Sequence, residues 1–174
     1  MQRREIHDEL NRVCADFARL IDTAAVAEMR QPSDGTKWTN EQLLFHMLFG
    51  YLLVRNLLPM VRGFGHLPDG VTRRFAKTLN AGTRPFHHVN YLGSLGGARV
   101  LGYPGMQRLM RHVIRDLHRS LVRRSDEELD RGMHFPVGWD PYFTDFMTLR
   151  DVYHYPTQHY EHHRRQLTLT AARE

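Results

Sequence analysis

From residue 3 to about residue 29, Ile6, Leu10, Val13, Phe17, Leu20 and Ala24 recur at spacings of three and four with charged residues between them. That period places the apolar side chains on one face and predicts an amphipathic helix. Gln31-Pro32-Ser33-Asp34-Gly35 ends it. A second helix then starts at Thr39 or Asn40, with Glu41 in its first turn, and extends to about Val61. It is apolar nearly all round, as expected of the most buried member of a bundle.

Between residues 62 and 104 short helical signals alternate with breakers. The pattern predicts a short helix near 71–80 and another after Pro85. Five of the 13 glycines fall between Gly93 and Gly105, which predicts a glycine-rich connection ending at Tyr103-Pro104-Gly105. So long a connection suits a wall or lid over a pocket. From Met106 to Arg124, Leu109, Met110, Val113, Ile114, Leu117 and Leu121 fill one arc, while Arg108, Arg111, Arg115, Arg119 and Arg123 fill the other. After a loop from Ser125 to Pro141, Thr148-Leu149-Arg150-Asp151 has the capping-box spacing, with Asp in place of Glu, and opens the last helix. Pro156 lacks a backbone N–H and is expected to interrupt and kink that helix one turn before His159. These patterns together predict an all-α fold.

At 174 residues the chain suits one domain, with no internal repeat or low-complexity tract. The single cysteine, Cys14, excludes an intrachain disulfide, and the N-terminus lacks the apolar core of a secretory signal. A cytoplasmic protein is expected. The longest apolar run, Leu43 to Val54, falls well short of the ~20 residues needed to cross a bilayer, so no membrane span is predicted. Arginine supplies 22 of the 24 basic residues, for a net charge of +5. That charge speaks to non-specific association and carries no information about fold. Arginines 108 to 123 form a basic stripe, but no aromatic side chain interleaves with them and no nucleic-acid motif accompanies them. A solvated face is the expectation, with no specific nucleic-acid partner.

The 12 histidines change the picture more. His159 and His163 are four apart, so on a helix their imidazoles stack one turn above each other on the inward face, with Val152, Tyr155 and Gln166. Inward imidazoles are costly unless each has a partner, and a metal ion is one such partner. His46, a polar ring in the apolar second helix, is the best third ligand. His162 lies at the edge of that face. His7, His66, His87, His88, His112, His118, His134 and His154 show no ligand spacing, and most of them are expected on the surface or in loops.

Lys37-Trp38-Thr39-Asn40-Glu41-Gln42-Leu43-Leu44-Phe45-His46, together with Met147 to Tyr153 leading into His159-Tyr160-Glu161-His162-His163-Arg164-Arg165-Gln166-Leu167, resembles the DinB/YfiT-like superfamily of metal-binding four-helix proteins. The likeness covers nearly the whole chain, residues 1–174. It implies a four-helix bundle with a long crossover connection, and a divalent metal held by His46, His159 and His163. Three neutral imidazoles leave a coordination position open, as in catalytic zinc sites, and zinc and nickel both suit them. The resemblance further implies a transferase in which the ion activates a small thiol such as mycothiol, bacillithiol or glutathione, with mycothiol favoured by the arginine-rich composition, for attack on an electrophile. Tyr155 is the expected contributor to the substrate pocket. A metal-dependent hydrolase, a non-catalytic metal-binding bundle and a homodimer paired through the first or last helix remain open at this level.

Overall fold

The computed structural model describes residues 1–173. Its elements in chain order are α1 (Arg3–Thr23), α2 (Val26–Met29), α3 (Asn40–Phe64), α4 (Asp69–Ala81), α5 (Thr83–Val122), α6 (Asp126–Asp130), β1 (Gly132–His134), β2 (Phe146–Thr148), α7 (Leu149–Arg164) and α8 (Thr170–Arg173). The fold is an all-α bundle with one two-stranded antiparallel clasp, in which Met133 of β1 faces Met147 of β2. α3 packs against both α5 and α7, and α1 also packs against both, so these four helices close the bundle. α4 and the first half of α5 form the long crossover.

The amphipathic face of α1 buries Ile6, Leu10, Val13, Phe17 and Leu20, as its spacing predicts. The element is shorter than expected, because extended backbone at Ala24 and Ala25 separates it from α2. α3 is the core helix, and it is long and apolar enough to span a membrane by length and composition. Here one face of it, including Leu43, Leu44, Met47, Val54, Leu58 and Val61, is taken up by the interior. Each large apolar side chain so buried contributes roughly 1.5–3 kcal/mol, and Leu44, Leu48 and Tyr51 are fully enclosed.

Four expectations are corrected. The residues read as a glycine-rich connection are helical: α5 runs from Thr83, and only Gly102 leaves helical geometry, at φ 58° and ψ 178°. That left-handed backbone divides α5 into an arm (83–101) and a bundle half, and glycine is the residue that adopts it without a Cβ penalty. Tertiary packing overrides the weak helix propensity of the glycines. At Gly97 the missing side chain is what lets the arm close on Phe45, since a Cβ there would overlap the ring. The expected interruption at Pro156 is absent, for α7 continues from Leu149 to Arg164 with Pro156 buried. Proline in a helix interior costs about 3 kcal/mol, which burial of Val152, Tyr153, Tyr155 and Tyr160 on the same helix outweighs. The loop from Ser125 holds α6 and β1. His134, expected at the surface, is buried there, with Asp69 at 2.8 Å and Asp145 at 3.2 Å.

The start of α7 follows the sequence closely. Asp151 N–H donates to Thr148 Oγ1 at 3.1 Å, and Thr148 N–H donates to Asp151 Oδ2 at 2.9 Å. At its far end α7 is tied to α1 through Asp16, which accepts from Tyr160 Oη at 2.9 Å and Arg164 Nε at 2.8 Å. Burial pushes the Asp16 carboxyl up, but the hydrogen bonds from Arg164, Arg19 and Tyr160 overcome it and hold the group below the usual carboxylate range. The last helix is thereby fixed in rotation, with one face turned to α3.

Candidate metal centre

His46 on α3 and His159 and His163 on α7 meet across the α3–α7 contact. Their rings lie 4.6 to 4.8 Å apart between centroids, and their ligand nitrogens all fall within 4.8 Å of one another. His46 and His159 are only 3% and 6% exposed, so both must be neutral or partnered. Burial, with His163 beside it, pushes the His46 pKa down to about 3. Burial also lowers His163 to about 4, against a hydrogen bond to Gln166 that favours the cation. His159 is lowered well below the ordinary value by burial and then by its two neighbouring imidazoles. All three are free bases at neutral pH, the form a metal requires.

The hydrogen bonds on the other ring nitrogens decide where the lone pairs point. His163 Nδ1–H donates to Gln166 Oε1 at 2.6 Å. His159 Nδ1–H donates to Asp140 Oδ2 at 3.1 Å. Ser94 gives its hydroxyl proton to the Asn90 carbonyl at 2.9 Å, so its oxygen is left to accept from His46 Nδ1–H, a long contact at 3.4 Å. Each Nε2 therefore carries a lone pair. His46 Nε2 and His163 Nε2 then face each other at 3.1 Å, and His159 Nε2 is buried with no partner. Facing lone pairs repel, and a buried acceptor without a donor costs about 1–3 kcal/mol. One cation among the three removes both penalties. Tetrahedral zinc with bonds of about 2.0–2.1 Å sets its ligands about 3.4 Å apart, a spacing the cluster approaches, so the residues fit such an ion. The fixing of each Nδ1–H by a carboxylate, an amide or a hydroxyl is the outer arrangement that orients metal-binding imidazoles.

Asp140 was not legible in the sequence, because it comes from the loop between β1 and β2. A turn holds it, with Tyr142 N–H donating to Asp140 Oδ1 at 2.9 Å. Trp139 anchors that loop, with its indole N–H on the Leu79 carbonyl at 2.9 Å and its ring stacked on Phe86 at 4.1 Å. Burial raises the Asp140 pKa, against hydrogen bonds from Tyr142 and Tyr155 that favour the anion. Tyr155 is buried behind His159 with its hydroxyl donating to Asp140 Oδ2 at 2.9 Å. That position places it beside His159, where it braces Asp140.

The cavity lies on the other side. About 600 Å³ in volume, it is walled by His163, Gln166, Trp38, Tyr91, Asn90 and Lys37, with His87 and His88 at its edge. Trp38 stacks on His46 at 4.3 Å and so joins the wall to the triad. His87 and His88 are exposed, as expected, but the α5 arm brings them to this opening. His162 stands apart, its Nδ1 against Tyr142 Oη at 3.2 Å.

A helical bundle enclosing three convergent imidazoles able to hold one divalent ion is the class that fold and site define. The chain belongs to the DinB superfamily, whose family model matches residues 9–167 and so spans all three histidines. No curated protein and no solved structure matches it.

Proposed function

We propose that the chain is a divalent-metal-dependent transferase that delivers a low-molecular-weight thiol, of the mycothiol, bacillithiol or glutathione kind, to a small electrophile. The observation that carries this reading is the convergence of three lone-pair nitrogens beside a cavity of about 600 Å³. That volume is in the range of small-molecule sites and far exceeds what a water nucleophile alone needs. A divalent ion in the cluster, zinc or nickel, supplies the Lewis acidity that keeps a thiol ionised at neutral pH.

The chain's own residues do the rest. Asp140, Gln166 and Ser94 hold the imidazoles in one tautomer and orientation. Trp38 and Tyr91, near parallel at 6.2 Å, give the cavity an aromatic side against which an apolar electrophile can lie. The α5 arm limits access of water to the buried nitrogens.

The test is metal analysis of protein purified without chelator, followed by conjugation assays with each thiol and a reactive chlorinated aromatic, read by absorbance. About one metal per chain and metal-dependent conjugate formation with at least one thiol are expected. A metal-loaded protein that conjugates none of the thiols but cleaves esters or amides would make it a hydrolase. One that does neither would leave a metal-binding bundle.

A further inference from the structure

Beside the loop that carries Asp140 lies a second cavity, of about 90 Å³, between α3, α4 and the segment that follows β1. All nine residues around it are apolar. The indole N–H of Trp139, the one polar side-chain group among them, is already given to the Leu79 carbonyl at 2.9 Å. A buried water needs about two to four polar partners, so it finds no place here and the space stays dry. Side chains around a dry void forgo contacts that a fitting apolar occupant restores.

The cavity is reachable from outside. Leu57 and Met60 of α3 and Phe75 and Leu79 of α4 are half-buried and form its rim, whereas Met133, Phe135 and Phe143 are buried and form its floor. Met60 and Met133 are flexible thioethers that can follow the shape of an occupant. An apolar cavity of about 150 Å³ admits benzene or xenon. This smaller one therefore suits a molecule of a few heavy atoms, smaller than a benzene ring.

Two of its walls bear on the metal centre. Trp139 precedes Asp140 in the chain. Phe143 packs on Tyr155 at 4.5 Å, and the Tyr155 hydroxyl donates to Asp140 Oδ2 at 2.9 Å. The carboxylate that orients His159 thus rests on side chains that the cavity leaves unsupported on one side.

We infer that this cavity is a second ligand site, which takes a small apolar molecule between α3, α4 and Trp139, and that its occupation steadies Asp140 and so tightens the hold of the histidine triad on its ion. The site rests on the cavity alone, and only the coupling rests on the metal reading.

Methyl NMR of methionine-labelled, metal-free protein under xenon tests the site. Of the eight methionines, only Met60 and Met133 line the cavity. Their signals, assigned with Met60→Leu and Met133→Leu, should shift and saturate with xenon pressure while the others stay in place. Acetamide, small but polar, should shift neither. Leu79→Phe, which fills the rim, should abolish the response, and Leu79→Ala, which widens it, should admit benzene. A response that is absent, unsaturable, matched by acetamide or undiminished in Leu79→Phe would overturn the site. Should Leu79→Phe fail to fold, benzene that leaves Leu79→Ala unshifted overturns it equally. Saturating xenon should also lower the zinc dissociation constant about fivefold, the low end of usual coupling between sites, and leave that of Asp140→Ala unchanged. A constant unmoved in the wild type would overturn the coupling. If the protein binds xenon but takes up no zinc, the site stands and the coupling falls with the metal reading.

Discussion

His159 presents its two ring nitrogens to two environments, one to the Asp140 carboxylate and one to the unpartnered centre of the triad. The first contact sets the tautomer that makes the second useful. Asp140→Ala should therefore weaken zinc binding about 10- to 100-fold, the usual effect of losing such a partner, while circular dichroism stays helical. A zinc dissociation constant unchanged in a chelator competition would show that Asp140 orients nothing. The neighbouring histidines separate in the same way. His163→Ala removes a converging nitrogen and should abolish stoichiometric metal, whereas His162→Ala, whose Nδ1 faces Tyr142 away from the cluster, should bind close to one equivalent. Elemental analysis of both variants checks this, and the reverse result would mean that the wrong histidine has been placed in the site.

At the scale of elements, the α5 arm closes one side of the triad by lying directly on α3. Gly97 meets the Phe45 ring, whereas a Cβ at Gly96, one residue earlier, would meet nothing within 4 Å. Alanine in a helix gains up to about 1 kcal/mol over glycine, but overpacking a buried contact costs about 1–3 kcal/mol. Gly96→Ala should accordingly raise the melting temperature and Gly97→Ala lower it. Equal shifts in a thermal melt would mean that the arm does not pack on Phe45 in solution. The bundle half of α5 presents a different face, with Arg108, Arg111, Arg115, Arg119 and Arg123 all exposed. We expect this stripe to give weak association with nucleic acid that vanishes with salt, because phosphate contacts without base readout carry no sequence preference. An anisotropy titration showing tight, sequence-dependent binding at physiological salt would contradict it.

For the whole molecule, the buried triad couples stability to pH. The folded pKa values of His46 and His163 lie at about 3 and about 4, below the ordinary 6.5, so between those values the unfolded chain binds more protons than the folded one. Stability of the metal-free protein therefore rises with pH up to about 6.5 and is lost on acidification below it, by up to about 1.4 kcal/mol per pH unit for each such histidine. His134 acts in the opposite sense. Burial lowers its pKa, but hydrogen bonds to Asp145 and Asp69 prevail and raise it, so its contribution is present below 6.5 and lost as pH rises through the folded value. His7 and His118, which burial also lowers, add to the triad, so one histidine opposes five, and the net should be a lower urea midpoint at pH 5 than at pH 7 in the presence of chelator. The difference should shrink in His46→Gln. A midpoint independent of pH over that range would mean that the imidazoles are not buried as free bases.

What local rules could determine, the sequence carried. The period of three and four in α1, the all-round apolarity of α3, the Thr148–Asp151 cap and the i, i+4 spacing of His159 and His163 each depend on residues within a turn or two of one another. The third histidine was legible because an imidazole in an apolar helix stands out. The structure decided whatever depends on distant partners. Gly97 lies in a helix packed on α3 because its missing side chain leaves room for Phe45, and Pro156 does not end α7 because burial on that helix outweighs the lost bond. Asp140 reaches His159 only through a loop pinned by Trp139 to Leu79 and Phe86. Tyr155 faces inward, as its spacing implies, but inward there means toward Asp140. A helical wheel gives the direction of a side chain, whereas what stands in that direction is set by contacts between segments far apart in the chain.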